Sequence, residues 1–302
     1  MSQVFIMTAF YKFQTMDNPH SFCALLQSFA EKLGARGLIL VSEEGINGTA
    51  CLKEEQLAEF ENFVSSHFAD IAFKHSPGKA NAFLKMKVKY RPEIVTMGTP
   101  ELVPLDPQGH LSPKEWQEKL LTAQVLDVRN RYEVEIGKFQ NAKSLDIDDF
   151  SEFPERLKAS AMDKNQPTLI YCTGGIRCEK AILEMQRQGF TNVSQLNGGI
   201  LKYLEEFGSQ GRFDGECFVF DYRVAVDTEL QPTARYRLCP HCGQPTDHRI
   251  DCRLCGQNRH VCESCLQIDE HHTTCSKNCA HHSRENHRSR KRHADGLHLN
   301  RN

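Results

Sequence analysis

Tyr171-Cys172-Thr173-Gly174-Gly175-Ile176-Arg177 is the stretch on which the fold reading turns. The apolar run Thr168-Leu169-Ile170-Tyr171 reads as a strand and stops at a cysteine. Two glycines then permit a tight loop, and an arginine opens a helical pattern through Cys178–Gln188. In such a loop successive backbone N–H groups can converge on one point, making an anion-binding nest at a helix N-terminus. A thiol at Cys172, beside Arg177, is expected to titrate below the ordinary ~8.5 and to be partly thiolate at neutral pH. Taken alone, a strand-end cysteine is more often a small buried hydrophobe, so its surroundings must carry the functional reading.

Outward from the loop the pattern is that of an α/β domain spanning 99–211. Val125-Leu126-Asp127-Val128 and Val193-Ser194-Gln195-Leu196 are too apolar for exposed edges and read as buried parallel strands. Phe153–Met162 is helical in pattern, and Ser112-Pro113 starts a helix with a capping residue and a first-turn proline. Residues 212–234 form a connector with one expected strand, Cys217–Val226.

The first ninety-eight residues form a different unit. Val4-Phe5-Ile6-Met7 opens as a strand, and Phe22, Leu25, Leu26, Phe29 and Leu33 recur at helical spacing. Leu38-Ile39-Leu40-Val41 and Ala50-Cys51-Leu52 flank the turn Ser42–Thr49, and Leu57, Phe60 and Val64 share a helical face. Phe83–Tyr90 is the expected last strand, giving a ferredoxin-like βαββαβ module over 1–98. In that last strand Lys85, Lys87, Lys89 and Arg91 recur at period two, so a strand places them in one cationic row suited to phosphate contacts. An ordinary solvated sheet face gives the same pattern.

At 302 residues, with 39% hydrophobic and 25% charged residues, the chain can build two domains or three small ones. No apolar run approaches the ~20 residues of a membrane span, and the amino terminus lacks the basic n-region of a secretory signal. A cytoplasmic protein is expected, and membrane, fibrous and wholly disordered classes are excluded. The net charge of −2 is unevenly spread. From Arg235 onward there are 12 Lys and Arg against 7 Asp and Glu, with eight of the 13 cysteines and ten of the 14 histidines.

Those eight cysteines are paired at ligand spacing: Cys239 with Cys242, Cys252 with Cys255, Cys262 with Cys265, and Cys275 with Cys279. Two such turns make a four-sulfur tetrahedral site, so region 235–283 is expected to hold two structural zinc ions. The pairing of the turns is open, and His260, His271 or His281 can replace a thiolate. Thiolate charge on two zinc sites would leave the region near neutral, with the positive charge concentrated in the end piece 284–302 through Arg284, Arg288, Arg290, Lys291 and Arg292. That piece reads as a disordered, RNA-contacting arm.

The string Asp127-x-Arg129-x3-Glu133-x3-Gly137-x-Phe139-x2-Ala142, the loop Cys172 to Arg177, and Asn197-Gly198-Gly199-Ile200 together resemble the rhodanese domain. Lys138 and Phe139 depart from the family's usual histidine and isoleucine, and neither touches the nucleophile. The resemblance makes Cys172 the residue that carries sulfane sulfur as a persulfide, in a loop of the six-position size associated with sulfur. It sets Arg177, Thr173, Gly174, Gly175 and Ile176 around it, and gives Asp127 and Arg129 either a catalytic role or that of a structural ion pair. Cys178 is a resolving thiol or, more often for a free cysteine, a core residue.

Ser42-Glu-Glu-Gly-Ile-Asn-Gly-Thr49, Lys89-Tyr-Arg-Pro-Glu-Ile-Val-Thr-Met-Gly98, Cys172-Thr-Gly-Gly-Ile-Arg-Cys-Glu-Lys180 and Gly215-Glu-Cys-Phe-Val-Phe-Asp221 extend the likeness along the chain. The chain is similar to the bacterial oxygen-dependent tRNA uridine-34 hydroxylases. The resemblance implies 5-hydroxylation of the wobble uridine with molecular oxygen as co-substrate and tRNA as partner. No flavin or nicotinamide motif is present, and the electron donor stays open. Uracil C5 is a poor electrophile until a nucleophile adds at C6, which a thiolate or persulfide at Cys172 can do; the same sulfur can itself react with oxygen. A persulfide sulfurtransferase and a zinc-dependent RNA-binding adaptor are the alternative readings.

Overall fold

The computed structural model describes residues 4–79, 82–106, 108–268 and 273–284. The chain divides into two compact units, one of residues 1–217 with 228–230, the other of 218–227 with 231–302.

The first unit begins with β1 (Phe5–Phe13), α1 (Pro19–Lys32), β2 (Arg36–Ser42), β3 (Gly45–Lys53), α2 (Glu54–Ser65), β4 (Ala72–Pro77) and β5 (Met86–Tyr90). The sheet order is β4-β1-β3-β2-β5, antiparallel except for the parallel β2–β5 pair. Helix α1 has Pro19 in its first turn, where the missing N–H costs nothing, and buries Phe22, Leu26 and Ala30 at four-residue spacing. These meet Phe10, Ile39, Ile46, Leu52, Phe60 and Val64 in one core. The expected ferredoxin-like order is present, but its closing strand is β4, which the sequence reading passed over. Ala72–Pro77 has little apolar content beyond Ala72 and Phe73, and its residues are exposed or half-buried. The strand expected from Phe83 starts at Met86 and is an extra fifth strand on the opposite edge.

Next come β6 (His110–Leu111), α3 (Pro113–Lys119), β7 (Gln124–Asp127), α4 (Arg131–Val134), β8 (Gly137–Phe139), β9 (Lys143–Ser144), α5 (Phe153–Ala159), β10 (Thr168–Tyr171), α6 (Ile176–Arg187), β11 (Val193–Leu196) and α7 (Gly199–Phe207). The parallel sheet runs β6-β11-β10-β7-β9. Helix α3 starts with Ser112 as its cap and Pro113 in its first turn, as the sequence foretells, and Glu115 completes a capping box. Leu126, Val128, Ile170 and Cys172 lie on one sheet face, packed with Phe153, Ala181, Ile182 and Met185 of α5 and α6. The two modules are joined within this unit by a buried cluster. Lys180 Nζ donates to Glu44 Oε2 and Glu93 Oε2, each at 2.9 Å, and all three side chains are at most 4% exposed.

In the second unit, Arg237–Leu238 pairs with Pro245–Thr246 and Arg249–Asp251 with Asn258–His260, two short hairpins over a small core of Ile250, Val261 and cysteine sulfurs. The single strand expected over Cys217–Val226 is broken by a turn in which Val224 N–H donates to Asp221 O at 3.1 Å. Val224 takes the left-handed φ of 67° there, so the run cannot continue as a strand. The expected basic arm, with Arg288, Arg290, Lys291 and Arg292, lies outside the described residues, as does His271.

Candidate active site and thiolate clusters

Strand β10 is buried along its length and delivers Cys172 at its carboxyl end, the edge at which open parallel sheets bind ligands. The loop then turns through Gly175 at φ +106°, where a Cβ would lie 2.9 Å from the Tyr11 hydroxyl. At Gly199, φ +69°, a Cβ would lie 2.5 Å from the Thr173 carbonyl oxygen. Ile200 and Leu201 N–H donate to the carbonyls of Cys172 and Thr173 at 3.0 and 3.2 Å, so the head of α7 holds these loop carbonyls. On the loop's other side, Gly175 N–H donates to Cys172 Sγ at 3.1 Å.

Cys172 is 0% exposed. Burial pushes its thiol up, but the hydrogen bond from the Cys178 thiol, the Arg177 charge and the Cys178 and Gly175 amides outweigh that and bring it down to about 6. The pocket is therefore built for a sulfur anion, although it is closed to solvent. Burial drives Cys178 the other way, well above the ordinary thiol value, helped by its bond to the Cys172 sulfur. Cys178 thus stays a protonated donor. It is both a core residue and a direct neighbour of the Cys172 sulfur.

Arg177 is fixed by Glu133, with Nη1 to Oε2 at 2.5 Å and Nη2 to Oε1 at 2.7 Å, and Thr173 Oγ1 donates to Glu133 Oε1 at 3.1 Å. Glu133 is 0% exposed and its carboxyl is held below the usual range, because Arg177 overcomes the upward push of burial. The sequence reading singled out Arg177 but passed over Glu133, whose place in the Asp-x-Arg-x3-Glu string was its only signal.

Asp127 and Arg129 form a separate pair. Arg129 Nε and Nη2 donate to Asp127 at 2.9 and 2.6 Å, Nη2 also reaches the Gly137 carbonyl at 2.6 Å, and its guanidinium lies over the Tyr171 ring. Asp127 is in register with Tyr171, one residue before Cys172, so its side chain leaves the opposite face of the sheet. The two side chains form a buried ion pair, with Arg129 Nη2 and Asp127 Oδ2 2.6 Å apart.

The first module covers the loop. Tyr11 and Lys74 lie on the face of its sheet turned away from α1 and α2. Tyr11 Oη donates to Glu179 Oε1 at 3.4 Å, and Lys74 Nζ donates to the Gly174 and Gly198 carbonyls at 3.0 and 2.8 Å. Burial, with the charges of Glu179 and Cys172, keeps Tyr11 a neutral phenol. Glu179 also bonds His110 Nε2 at 3.0 Å and Gln195 Nε2 at 3.0 Å. None of Tyr11, Lys74 or His110 carries a local sequence signal, and Glu179 has only its place in the Cys172–Lys180 string.

Lys85, Lys87, Lys89 and Arg91 are exposed, while Met86 is buried beneath β5. Register across the sheet runs Lys87–Leu38–Thr49–Ala9–Lys74, and the next row Lys89–Leu40–Asn47–Tyr11–Ala72. The cationic row therefore occupies the same sheet face as the two residues that cover the loop.

In the second unit the cysteine sulfurs gather as two sets, Cys239, Cys242, Cys262 and Cys265, and Cys252, Cys255, Cys275 and Cys279, with each set's sulfurs within 4.8 Å of one another. The first and third turns share one set and the second and fourth the other, an interleaved arrangement the sequence reading left open. Separations of 3.5 Å for Cys242–Cys262, 3.5 Å for Cys255–Cys275 and 3.9 Å for Cys255–Cys279 bracket the ~3.8 Å edge of a tetrahedron with metal–sulfur bonds of about 2.3 Å. Both sets can hold a metal ion. His260 and His281 belong to neither set.

Comparison with known proteins gives three consecutive family matches: the UPF0176 acylphosphatase-like domain over residues 5–94, the rhodanese-like domain over 112–206 and the rhodanase C-terminal domain over 214–280. A protein of Bdellovibrio bacteriovorus named tRNA uridine(34) hydroxylase is 42% identical over 296 residues, covering 95% of this chain and 83% of that one. A Synechococcus elongatus protein of the same name is 39% identical over 247 residues, covering 80% and 91%. No helix among the described residues is long and apolar enough to cross a membrane.

Proposed function

The chain belongs to the tRNA uridine(34) hydroxylase family, and from that premise we propose that it hydroxylates uridine 34 of tRNA at C5, with Cys172 as the reacting group. The observation that carries the reading is the buried, anion-stabilised sulfur of Cys172 in a chain aligned over 95% of its length with a hydroxylase of that name. Molecular oxygen is the oxidant: one atom enters at C5 and the other leaves as water, with two electrons and two protons from a separate donor. The protein works in the cytoplasm, where its tRNA is met.

Within the site, Arg177 and the Gly175 amide hold negative charge on sulfur, and Cys178 supplies a protonated donor beside it. Because Cys172 is fully covered, a base reaches it only when the Tyr11 contact with Glu179 parts. Lys85, Lys87, Lys89 and Arg91 would meet tRNA phosphates on that same sheet face, steering the anticodon loop toward the parting line.

Nucleoside mass spectrometry of tRNA from cells lacking the protein tests the reading. Loss of 5-hydroxyuridine and its derivatives, restored by the wild-type chain, is the expected result. Loss of a thiolated base with hydroxylated uridine intact would instead make the protein a persulfide sulfurtransferase.

The two thiolate sets suit zinc, by their all-sulfur donors and by separations close to a tetrahedral edge. Zinc there is structural, closed on four sides and folding the second unit around it. Metal analysis should find two zinc ions per chain, and Cys255→Ala should retain one. Two ions in that variant would refute the assignment of Cys255 to a site.

A further inference from the structure

Lys74 is an odd tenant of its position. It comes from edge strand β4, in register with Ala9, and both its hydrogen bonds go to main-chain carbonyls instead of a carboxylate. Burial pushes its ammonium down, opposed by the negative charge of Cys172. A partly buried ammonium is costly unless its donors are bonded, and the two loop carbonyls that bond Lys74 depend on it in turn.

The peptide between Gly174 and Gly175 explains the dependence. A trans peptide directs its C=O and N–H oppositely. Here the carbonyl end meets Lys74 Nζ at 3.0 Å, and the amide end meets Cys172 Sγ at 3.1 Å. The flanking residues offer little resistance to rotation of this unit. Gly174 has open space where a Cβ would stand, and Gly175 sits at φ +106°. Rotated by half a turn, the peptide would aim a carbonyl dipole at the sulfur and oppose its anion. The second bond, to Gly198 O at 2.8 Å, ties the same amine to the head of α7, whose Ile200 and Leu201 amides hold the Cys172 and Thr173 carbonyls.

We propose that Lys74 is a positioning residue for Cys172: by holding the Gly174 carbonyl it fixes the 174–175 peptide with its N–H on the sulfur, so that the active centre is complete only with the amino-terminal module in place. The inference deepens the reading above and rests on it for one point, that Cys172 is the reacting group. The groups facing the sulfur are Arg177 and Cys178 from α6, Tyr11 from β1 and Lys74 from β4, with Glu179 behind Tyr11. Only Lys74 acts through the peptide's far end.

The test is a titration of full-length protein labelled with 13Cβ-cysteine, the Cys172 resonance being assigned by its loss in Cys172→Ser. Chemical shift reports ionisation without requiring access to the buried sulfur. In Lys74→Met the midpoint should rise by about one unit, a tenfold loss of thiolate relative to thiol. Lys74→Arg, which keeps the cation and its donors, should stay within about 0.3 unit of wild type. If the methionine variant does not fold, Lys74→Leu, which also lacks a donor, replaces it, with an upward shift again expected. A folded Lys74→Met or Lys74→Leu whose curve superimposes on wild type overturns the proposal. The titration contains no tRNA. A wild-type chain that titrates as described but adds no hydroxyl group to tRNA therefore sinks the hydroxylase reading and leaves the Lys74 result standing.

Discussion

Lys180→Met is expected to cost about 3–5 kcal/mol of stability, the usual penalty for removing one partner from a buried charged cluster. Lys180 is 0% exposed and is the shared cation of two carboxylates, Glu44 at 3% and Glu93 at 4%. Glu93 also accepts the N–H groups of Met97, Gly98 and Thr99 at 2.7, 2.9 and 3.1 Å, and Glu44 that of Ile94 at 2.6 Å. The variant keeps these amide bonds and loses the only Lys180 charge between them, leaving two buried carboxylates near one another. Burial already raises the Glu44 carboxyl above its ordinary value even with Lys180 beside it. Without the lysine it must rise further. A carboxyl whose folded pKa is raised favours the folded state below that pKa, so the penalty should shrink on acidification and be greatest near neutrality. Urea denaturation of both proteins at pH 7.5 and pH 5 measures this. A loss under 1 kcal/mol at neutral pH, or one that grows as pH falls, would contradict the buried-cluster account.

The loop was legible because everything that makes it is local. A buried strand, a cysteine, two glycines and an arginine are consecutive, and their geometry follows from chain direction alone. Glu133 is another matter: it reaches Arg177 across 44 residues of sequence, and Lys74 reaches Gly174 across 100. No periodicity reports such a meeting. Strand β4 was missed for the reason that edge strands are hard to read generally, since both of its faces are partly exposed and its alternation is weak. Asp127 and Arg129 look poised at a strand end, yet period-two alternation sends Asp127 to the face opposite Cys172, which register settles and composition does not.

The cysteine-rich unit divides the same way. Cys239-Pro-His-Cys-Gly-Gln244 and Cys252-Arg-Leu-Cys-Gly-Gln257 are one local motif used twice, and the structure repeats its hydrogen bonds. Cys239 N–H donates to Gln244 O at 2.8 Å and Cys252 N–H to Gln257 O at 3.0 Å, while the Gly243 and Gly256 amides close each turn at 2.8 Å. Four ligand turns could thus be found from spacing. Their interleaved sharing is a property of how the hairpins cross, and spacing does not encode it.

Cys172→Ser should abolish tRNA hydroxylation, lowering the rate by about 10³-fold or more, because a serine hydroxyl at this position has no accessible anion. The substitution is close to isosteric and leaves Glu133, Arg177 and the loop glycines in place, so the far-ultraviolet circular dichroism should match wild type. The sharper result is the pH dependence of the wild-type enzyme. Burial alone would hold the thiol protonated well past neutrality, and the enzyme would then gain rate up to pH 8 or beyond. The Cys178 thiol, Arg177 and the two amides reverse that and set the sulfur to about 6. A group with a lowered pKa is in its working, deprotonated form above that value and loses it below. The rate should therefore fall about tenfold per unit below pH 6 and be nearly level from pH 7 to 8.5. Cys178, held protonated by burial, should add no second limb in this range. Single-turnover hydroxylation of a uridine-34 tRNA across pH 5–9 checks the curve. A rate still climbing tenfold per unit at pH 8 would mean that the loop does not stabilise the anion, and a Cys172→Ser variant with wild-type turnover would remove this sulfur from the reaction.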